Sequence, residues 1–244
     1  MNSAFAFLIS LLLLLALSYW ERRNPLYAYK SDGPWFQRLL ILGSLGISLT
    51  AIIGFFVEPH LRALPYSLAL SKFFSSKPAW LNGLVSYLCI TFFVYWWHRL
   101  RHSNNFAWKV FHQIHHSTHR IQALTALYAH PSDFIANLLI INFVSYALLG
   151  LSIESASWAT LWVAIFEYWE HTNTRTPRWL GYFIVRPEMH RIHHERNRHT
   201  NNYGLPIWDM LFGTYENTLR QVECGFEGEN EKKLTQMLAG KQVE

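Results

Sequence analysis

The chain has few charged residues and almost no cysteine. Asp, Glu, Lys and Arg make up 15% of its 244 residues, against about a quarter in soluble domains. The two cysteines, Cys89 and Cys224, are too few for a disulfide framework or a cysteine metal site. The net charge is +5, but no nucleic-acid-binding motif accompanies it, and contact with anionic lipid headgroups accounts for the basic residues. Nucleic acid is therefore not an expected partner.

Long apolar segments take the place of the missing charges. Hydrophobic residues make up 51% of the chain, and four segments of about 20 residues carry no charge at all. A helix of that length crosses the bilayer core, which is about 30 Å thick. We therefore predict an all-α integral membrane protein in which these segments are membrane helices: 1–20, 39–57, 78–97 and 134–153.

A fifth apolar segment, 155–166, is too short to cross alone. It can pair with its predecessor as a hairpin if Glu154 marks the turn and the helix continues past Glu167 into water, which gives four to five membrane helices. Segment 1–20 lacks a preceding basic region and a convincing cleavage site, so we interpret it as a retained anchor. The amphipathic segment 58–77 is expected to lie at the outer interface or to form part of a hairpin.

Basic residues predict the orientation. Eighteen of the 21 Lys and Arg residues lie in segments 20–38, 98–133 and 170–244, and the other three lie in 58–77. Cytoplasmic loops carry the excess of Lys and Arg, so the three basic segments are expected on the cytoplasmic side. The same side holds all the clustered histidines, which predicts a cytosolic, histidine-rich helical cap.

Histidines form three compact groups, which we call the histidine boxes. Spacings of three and four residues place side chains on one helix face. Neutral imidazole is the commonest side-chain metal ligand, and it suits Zn, Cu, Fe and Ni. Eight clustered imidazoles exceed what one metal needs, so we predict two metals. The boxes are His98 and His102; His112, His115 and His116; and His190, His193 and His194.

An all-histidine site leaves a metal strongly Lewis-acidic. Ester hydrolysis would need a base or nucleophile nearby, and the HExxH and GxSxG motifs are absent from the sequence. Activation of O2 by two irons needs neither motif. The alternatives are a divalent-metal transporter or sensor without redox chemistry, and a haem protein. Both of these classes of protein need metal or haem ligands deep inside the membrane helices, but the four apolar segments contain no histidine.

Other motifs extend the pattern and resemble a known family. Tyr95 and Arg99 flank the first box, the third box lies in RPEMHRIHH, and Asn202-Tyr203-Gly204 precedes Trp208-Asp209 and a Leu-Phe-Gly-Thr sequence. Together with the boxes, these motifs resemble the fatty acid hydroxylase superfamily in its bacterial sterol desaturase type. The resemblance covers roughly 80–216. It implies a membrane-bound di-iron enzyme that uses O2 and two external electrons to hydroxylate or desaturate a lipid.

The resemblance also implies a domain division and further site residues. Residues 1–79 would be the membrane anchor and interfacial segment, 80–216 the catalytic domain, and 217–244 a tail. His171 stands where relatives carry a metal ligand. The expected metal ligands are thus His98, His102, His112, His115, His116, His171, His190, His193 and His194.

The roles of several other residues stay open. His130 matches a position common in the family, either behind the ligands or in the substrate pocket. Glu167 either completes the metal shell or caps the apolar segment. Thr91 replaces an Asp that relatives often carry, which removes a possible hydrogen bond to a ligand. His119 and His199 are expected to be solvated or to lie behind the ligands, and His60 is expected to be structural.

The implied cofactors are two iron ions and O2. Imidazole sites bind Zn more tightly than Fe(II), so zinc can fill the site in purified protein. The sequence contains no fused haem domain, flavin motif or ferredoxin-type cysteine set. Electrons are therefore expected from a separate protein, whether a ferredoxin, a cytochrome or a reductase. The substrate is expected to be a membrane lipid, which the sequence does not identify further.

Overall fold

The computed structural model describes residues 1–64 and 68–244, and within these ranges the chain is helical with no strand. A single extended bridge pairs Glu195 with Cys224. The prediction for segment 58–77 falls partly on residues outside the described ranges. In chain order the α-helices are α1 (Ser3–Arg23), α2 (Gly33–Arg62), α3 (Leu68–Ser75), α4 (Ala79–Ser103), α5 (Asn105–Ala107), α6 (Gln113–Ser117), α7 (Pro131–Asn142), α8 (Ile153–Glu170), α9 (Pro187–His193), α10 (Pro206–Phe212) and α11 (Leu234–Leu238).

In the described ranges, four helices are long and apolar enough to cross a membrane. They are α1, α2, α4, and α7 with its π-helical continuation to Leu148. Large apolar side chains such as Leu15, Phe55 and Phe56 point outward and are more than half exposed. Such a surface is stable in lipid and not in water. The prediction of an all-α, multi-pass membrane protein is confirmed.

The fifth apolar segment forms α8, which packs mainly against α4 and α1 rather than against the preceding α7. The turn comes before Glu154, because the Ser152 side chain caps α8 by accepting a hydrogen bond from the Ser155 N–H at 3.2 Å. Glu154 pairs with the amino group of Met1. The segment therefore joins the bundle, but α7 is not its principal partner.

Two glycines allow the helices to approach closely. A Cβ atom at Gly83 of α4 would lie 2.3 Å from the Trp158 Cβ of α8, and one at Gly46 of α2 would lie 2.5 Å from the Phe134 ring of α7. Small residues at such positions let helix backbones pack in lipid, where no hydrophobic force drives association. These contacts set the bundle that surrounds the site.

One end of the bundle, which we call the histidine end, collects the functional segments. The helices α1, α4 and α8 end there, and α2 and α7 begin there. Glu21 near the end of α1 accepts hydrogen bonds from the Ala123 and Asn173 N–H groups, at 3.0 and 2.8 Å. The tail docks at the same end, where Phe226 and Met237 are fully buried. A membrane helix thus directly holds two of the loops beside the site.

A buried ion pair joins α4 to α7 at the histidine end. Both carboxylate oxygens of Asp133 accept from the Arg101 guanidinium at 2.6 Å, and both side chains are almost fully buried. Removing one partner of such a pair leaves an uncompensated buried charge.

We predict that Asp133→Ala lowers the free energy of unfolding by about 3–5 kcal/mol, because Arg101 loses its counter-ion. The measurement is thermal unfolding of metal-free protein in detergent, so that metal loss does not contribute. Glu223→Gln is the control, since Glu223 pairs with Arg196 but is 82% exposed, and such pairs contribute about 1 kcal/mol or less. Equal shifts for the two variants would contradict the prediction.

Candidate metal centre

Nine histidines converge at the histidine end and divide into two groups. Within each group, one ring nitrogen of every member lies within 4.8 Å of the others. All nine residues that the sequence suggests as ligands belong to these groups, and eight of the nine are buried. The first group is His98, His102, His112, His116 and His193, and the second is His115, His171, His190 and His194.

The second and third boxes share the spacing HxxHH, and each contributes histidines to both groups for a geometric reason. At 3.6 residues per turn, positions i and i+4 differ by about 40° around the helix axis, whereas i+3 lies about 60° to the other side of i. His112 and His116 therefore enter the first group and His115 the second. In the third box, His190 and His194 enter the second group and His193 the first. The π-helical segment Trp108–His112 leads directly into the second box, and such segments are frequent at functional sites.

Backbone carbonyls fix the rings of the first group. The Nδ1 of His98 lies 2.8 Å from the Tyr203 carbonyl oxygen, and the Nδ1 of His193 lies 2.7 Å from that of Asn201. A carbonyl can only accept, so each Nδ1 carries the proton. In a neutral imidazole, the Nε2 then holds the lone pair, and it faces the group.

The second group is held in the same way. The Nδ1 of His171 donates to the Glu167 carbonyl at 2.7 Å, and the Nδ1 of His115 lies 3.4 Å from the Tyr128 carbonyl. Two carboxylates also lie behind rings of the two groups. Asp133 is 3.5 Å from His112 Nδ1, and Glu170 is 3.5 Å from His190 Nδ1. Carboxylates and carbonyls behind a metal-binding histidine orient its ring and raise its basicity.

The inward nitrogens face each other at short range. The His98 and His116 Nε2 atoms lie 2.9 and 3.1 Å from His112 Nε2 in the first group. In the second group, the Nε2 atoms of His171 and His194 lie 2.9 and 3.1 Å from that of His190. Where both nitrogens hold lone pairs, the two lone pairs repel each other at this distance. A cation between them removes the repulsion.

Burial keeps these rings neutral. It lowers the pKa of His112, His115 and His190 well below the ordinary value of 6.5, and neighbouring positive or titratable groups lower it further. The buried Nε2 atoms of His102 and His193 have no hydrogen-bond partner among the described residues. Neutral, inward-facing imidazoles with unpartnered nitrogens fit two transition-metal ions, one in each group.

Two buried arginines anchor α9, which carries most of the third box. Arg186 donates to Asn217 and Thr176, and Arg191 donates to the Tyr29 hydroxyl and the Ile121 carbonyl. A seven-residue helix is not stable by itself. Its position therefore depends on these contacts.

A cavity of about 300 Å³ runs from the metal centre between the membrane helices. Its inner end is lined by His98, His112, His115 and His190. The opposite part is lined by side chains of α2, α4, α7 and α8, most of them apolar, including Ile90, Val94, Leu138, Ile141 and Val163. The Glu167 carboxylate lines the cavity too, 3.9 Å from His171 Nδ1.

The remaining histidines lie outside the two groups. His130 caps α7 by accepting from the Ser132 N–H at 3.1 Å, and it does not line the described cavity. His119 Nδ1 bonds to the Cys224 carbonyl at 2.9 Å. His60 is exposed near the far end of α2. His199 contacts His116 from behind, with 3.1 Å between the two Nδ1 atoms.

Some functional contacts are not visible in the sequence. The Asn202-Tyr203-Gly204 motif is recognisable in the sequence, but the sequence does not show that the Tyr203 carbonyl accepts a hydrogen bond from His98. The later motif explains the geometry, since Asp209 accepts from the Tyr203 and Gly204 N–H groups at 2.9 and 3.2 Å. The Thr91 hydroxyl accepts from the Trp208 indole at 2.9 Å. Thr91 therefore packs the segment that contains Trp208 against α4, rather than contacting one of the nine histidines.

Comparison with known proteins gives a family match. A family model described as fatty acid hydroxylase matches residues 83–214, just over half of the chain. Alkylglycerol monooxygenase of Homo sapiens is 30% identical over 78% of the chain, and an ornithine lipid hydroxylase of Rhizobium tropici is 28% identical over 86%. A very-long-chain aldehyde decarbonylase of Oryza sativa subsp. indica is 27% identical over 59%.

The relatives are longer proteins. The matched part is 40% of the human alkylglycerol monooxygenase, 66% of the ornithine lipid hydroxylase and 58% of the decarbonylase. No solved structure matches the chain significantly.

We predict that His193→Ala and His190→Ala each lower the bound metal from about two ions per chain to about one, because each removes a nitrogen from a different group. His60→Ala is the control and keeps both ions. Metal content of detergent-purified protein, measured by mass spectrometry, checks this. Full occupancy in both ligand variants would show that the groups do not hold metal.

The metal-free protein should lose stability in acid. Burial lowers the pKa of His171 to about 4 and of His193 to about 3, from 6.5. The unfolded chain therefore binds protons as the pH falls below about 6.5 while the folded chain resists them, so stability falls over that range. The melting temperature should drop between about pH 7 and about pH 4, less steeply in His193→Leu than in the unmodified protein. Identical slopes would refute this account.

Proposed function

Because the chain belongs to the fatty acid hydroxylase family, we propose that it is a membrane-bound, O2-dependent di-iron oxidoreductase that hydroxylates or desaturates a lipid. The observation that carries the proposal is the cavity, whose largely apolar walls end at histidines of both groups. A hydrocarbon chain in this cavity would reach the metals directly.

The size of the cavity suits a lipid chain. Along α4, its lining extends from Tyr87 to His98, which at 1.5 Å per residue is about 16 Å. The names of the relatives include alkylglycerol, ornithine lipid and very-long-chain aldehyde. We propose a substrate of this general class, with a long apolar chain attached to a polar group.

The nine histidines would hold two irons, which supply the activation of O2 when they are bound. The protein's own groups do the rest. Apolar side chains such as Val94 and Val163 exclude water and orient the chain, so that one C–H bond lies against the histidine end. Glu167 and Glu170 line the same end. They are placed to accept hydrogen bonds from a substrate or from water there.

The histidine end is proposed to face the cytoplasm. Eighteen of the 21 basic residues lie in segments at this end, as the positive-inside rule requires. A separate cytoplasmic electron-transfer protein would then supply the two electrons. A metal transporter or sensor is the weaker alternative, because a cation would have to cross a path lined largely by apolar side chains.

The direct test uses iron-loaded protein in lipid nanodiscs with isotopically labelled O2 and a chemical reductant or ferredoxin system. Lipids are then analysed by mass spectrometry. Hydroxylation adds one labelled oxygen to the lipid, and desaturation removes two hydrogens. An unchanged lipid pool across substrates with varied headgroups, with both irons bound, would count against the proposal. So would full activity in iron-free, zinc-loaded protein without O2.

We predict that His115→Ala abolishes the product while the protein stays in the membrane, because the apolar helices that fix insertion are unchanged. His60→Ala should keep most of the activity. Both variants are compared at matched protein levels by lipid analysis. Normal turnover in His115→Ala would mean that the box is structural.

Ala164→Phe should lower turnover at least about tenfold without loss of metal, because the larger side chain fills part of the cavity that Ala164 lines. Leu45→Phe on the exposed face of α2 is the matched control. Lipid product and metal content are measured together. Unchanged turnover in Ala164→Phe would exclude this cavity as the substrate path.

A further inference from the structure

His199 joins the metal centre to the tail. Its Nδ1 lies 3.1 Å from His116 Nδ1, and its Nε2 lies 3.1 Å from Glu244 Oε2. The other nitrogen of His116 faces the first group, 3.1 Å from His112 Nε2. The chain of contacts therefore runs from a carboxylate through one imidazole to a second imidazole in the metal centre.

For neutral imidazoles beside an ionised Glu244, proton placement in this chain has one consistent solution. The Glu244 carboxylate accepts, so His199 Nε2 carries a proton. A neutral His199 then has a lone pair at Nδ1, which accepts from His116 Nδ1–H. His116 Nε2 is left with its lone pair directed into the first group. Reversing the His199–His116 bond would turn the lone pair of His199 Nε2 toward the Glu244 carboxylate, so that two acceptors would face each other.

The loop that carries His199 has an unusual backbone. His199 has φ of +33°, and Asn197, Asn201 and Asn202 have φ of +62°, +66° and +49°. Left-handed conformations of residues other than glycine cost energy and persist only where contacts hold them, often at functional sites. The same loop supplies the Asn201 carbonyl that holds His193. One strained loop thus orients two members of the first group.

The docked tail delivers Glu244. Gln113 of α6 donates to the Lys241 carbonyl at 2.9 Å, and Val243 packs against the buried core that contains Met237. Glu244 itself lies on an open groove that also reaches His102 and His199. These contacts hold the carboxylate beside His199 rather than free in solvent.

We propose that His199 and Glu244 are positioning residues that fix the tautomer and orientation of His116 and so retain the metal of the first group. The inference rests on the proposed function only in that the first group binds a metal. His199 would act through His116 and would not bind the metal itself, because its Nδ1 faces the outer nitrogen of that ring.

The test measures metal release rather than turnover. Protein loaded with Co²⁺ or Zn²⁺ is mixed with a chelator, and the release of each ion is followed together with the Co²⁺ absorption spectrum. His199→Leu removes the acceptor for His116 Nδ1–H. It should accelerate release of one of the two ions by roughly 10–100-fold and alter its absorption band, and the other ion should behave as in the unmodified protein.

Three further variants sharpen the result. His199→Gln keeps an acceptor oxygen and should release its metal more slowly than His199→Leu. Glu244→Gln keeps the fold of the tail but removes the negative charge, and should show the same selective release to a smaller extent. Glu223→Gln changes an exposed carboxylate elsewhere in the tail and should behave as the unmodified protein.

Release that is unchanged in both His199→Leu and Glu244→Gln would overturn the inference. So would equal acceleration for both ions in Glu244→Gln, since that indicates general loosening. Because the assay needs neither O2 nor lipid, selective release in a protein without lipid activity would leave this inference standing and reject the proposed function. Failure of the unmodified protein to bind any metal would reject both.

Discussion

The crowding of inward-facing imidazole nitrogens is the constraint on which the rest of this structure depends. Nine imidazoles, eight of them on buried residues, crowd into two groups, with Nε2 atoms as close as 2.9 Å. Burial keeps them neutral at ordinary pH, so each ring carries one proton, and a ring with that proton on Nδ1 directs a lone pair inward. Without a cation, the rings would turn away from one another unless something held them. The surrounding structure supplies that restraint through their Nδ1 atoms.

The restraint comes largely from backbone carbonyls, which cannot move without moving a whole segment. Those of Tyr203 and Asn201 hold the first group, and that of Glu167 holds the second. Each carbonyl belongs to a segment that is itself fixed, by Asp209 in one case and by the end of α8 in another. The nine rings are thus held in place without a metal, and a metal bound among them would add to the stability of the fold.

The histidine-bearing helices could be predicted from the sequence, because periodicity and box spacing depend only on local geometry. Membrane helices α1, α2, α4 and α7 follow from uncharged segments that must satisfy their own backbone groups in lipid. The packing of α8 against α4 could not be predicted, since it depends on the contact between Gly83 and Trp158 across the bundle. Composition alone does not specify that partner.

Within the site, too, features that depend on local geometry could be predicted from the sequence, and contacts between distant segments could not. The nine histidines stand out through spacing and through resemblance to a family, although their role as ligands stays a prediction. Their division into groups of five and four needs the angle around each helix and the placement of the other boxes. His199 contacts His116, which is distant in the chain, and Glu170, which contacts His190, lies outside any motif. Only the folded chain brings these groups together.

The two groups also differ in their electrostatic surroundings. Behind the first group, Asp133 is already neutralised by Arg101, which binds both of its oxygens. Behind the second group, Glu170 faces His190, and the described structure gives it no basic partner among Arg and Lys residues. Burial and the neighbouring Glu167 carboxylate raise the pKa of Glu170 well above its ordinary value, which favours the protonated acid. A metal ion bound in the second group would lie one ring away and would favour the ionised form instead. Metal binding in the second group would therefore release a proton from Glu170, whereas Asp133 behind the first group is already paired with Arg101.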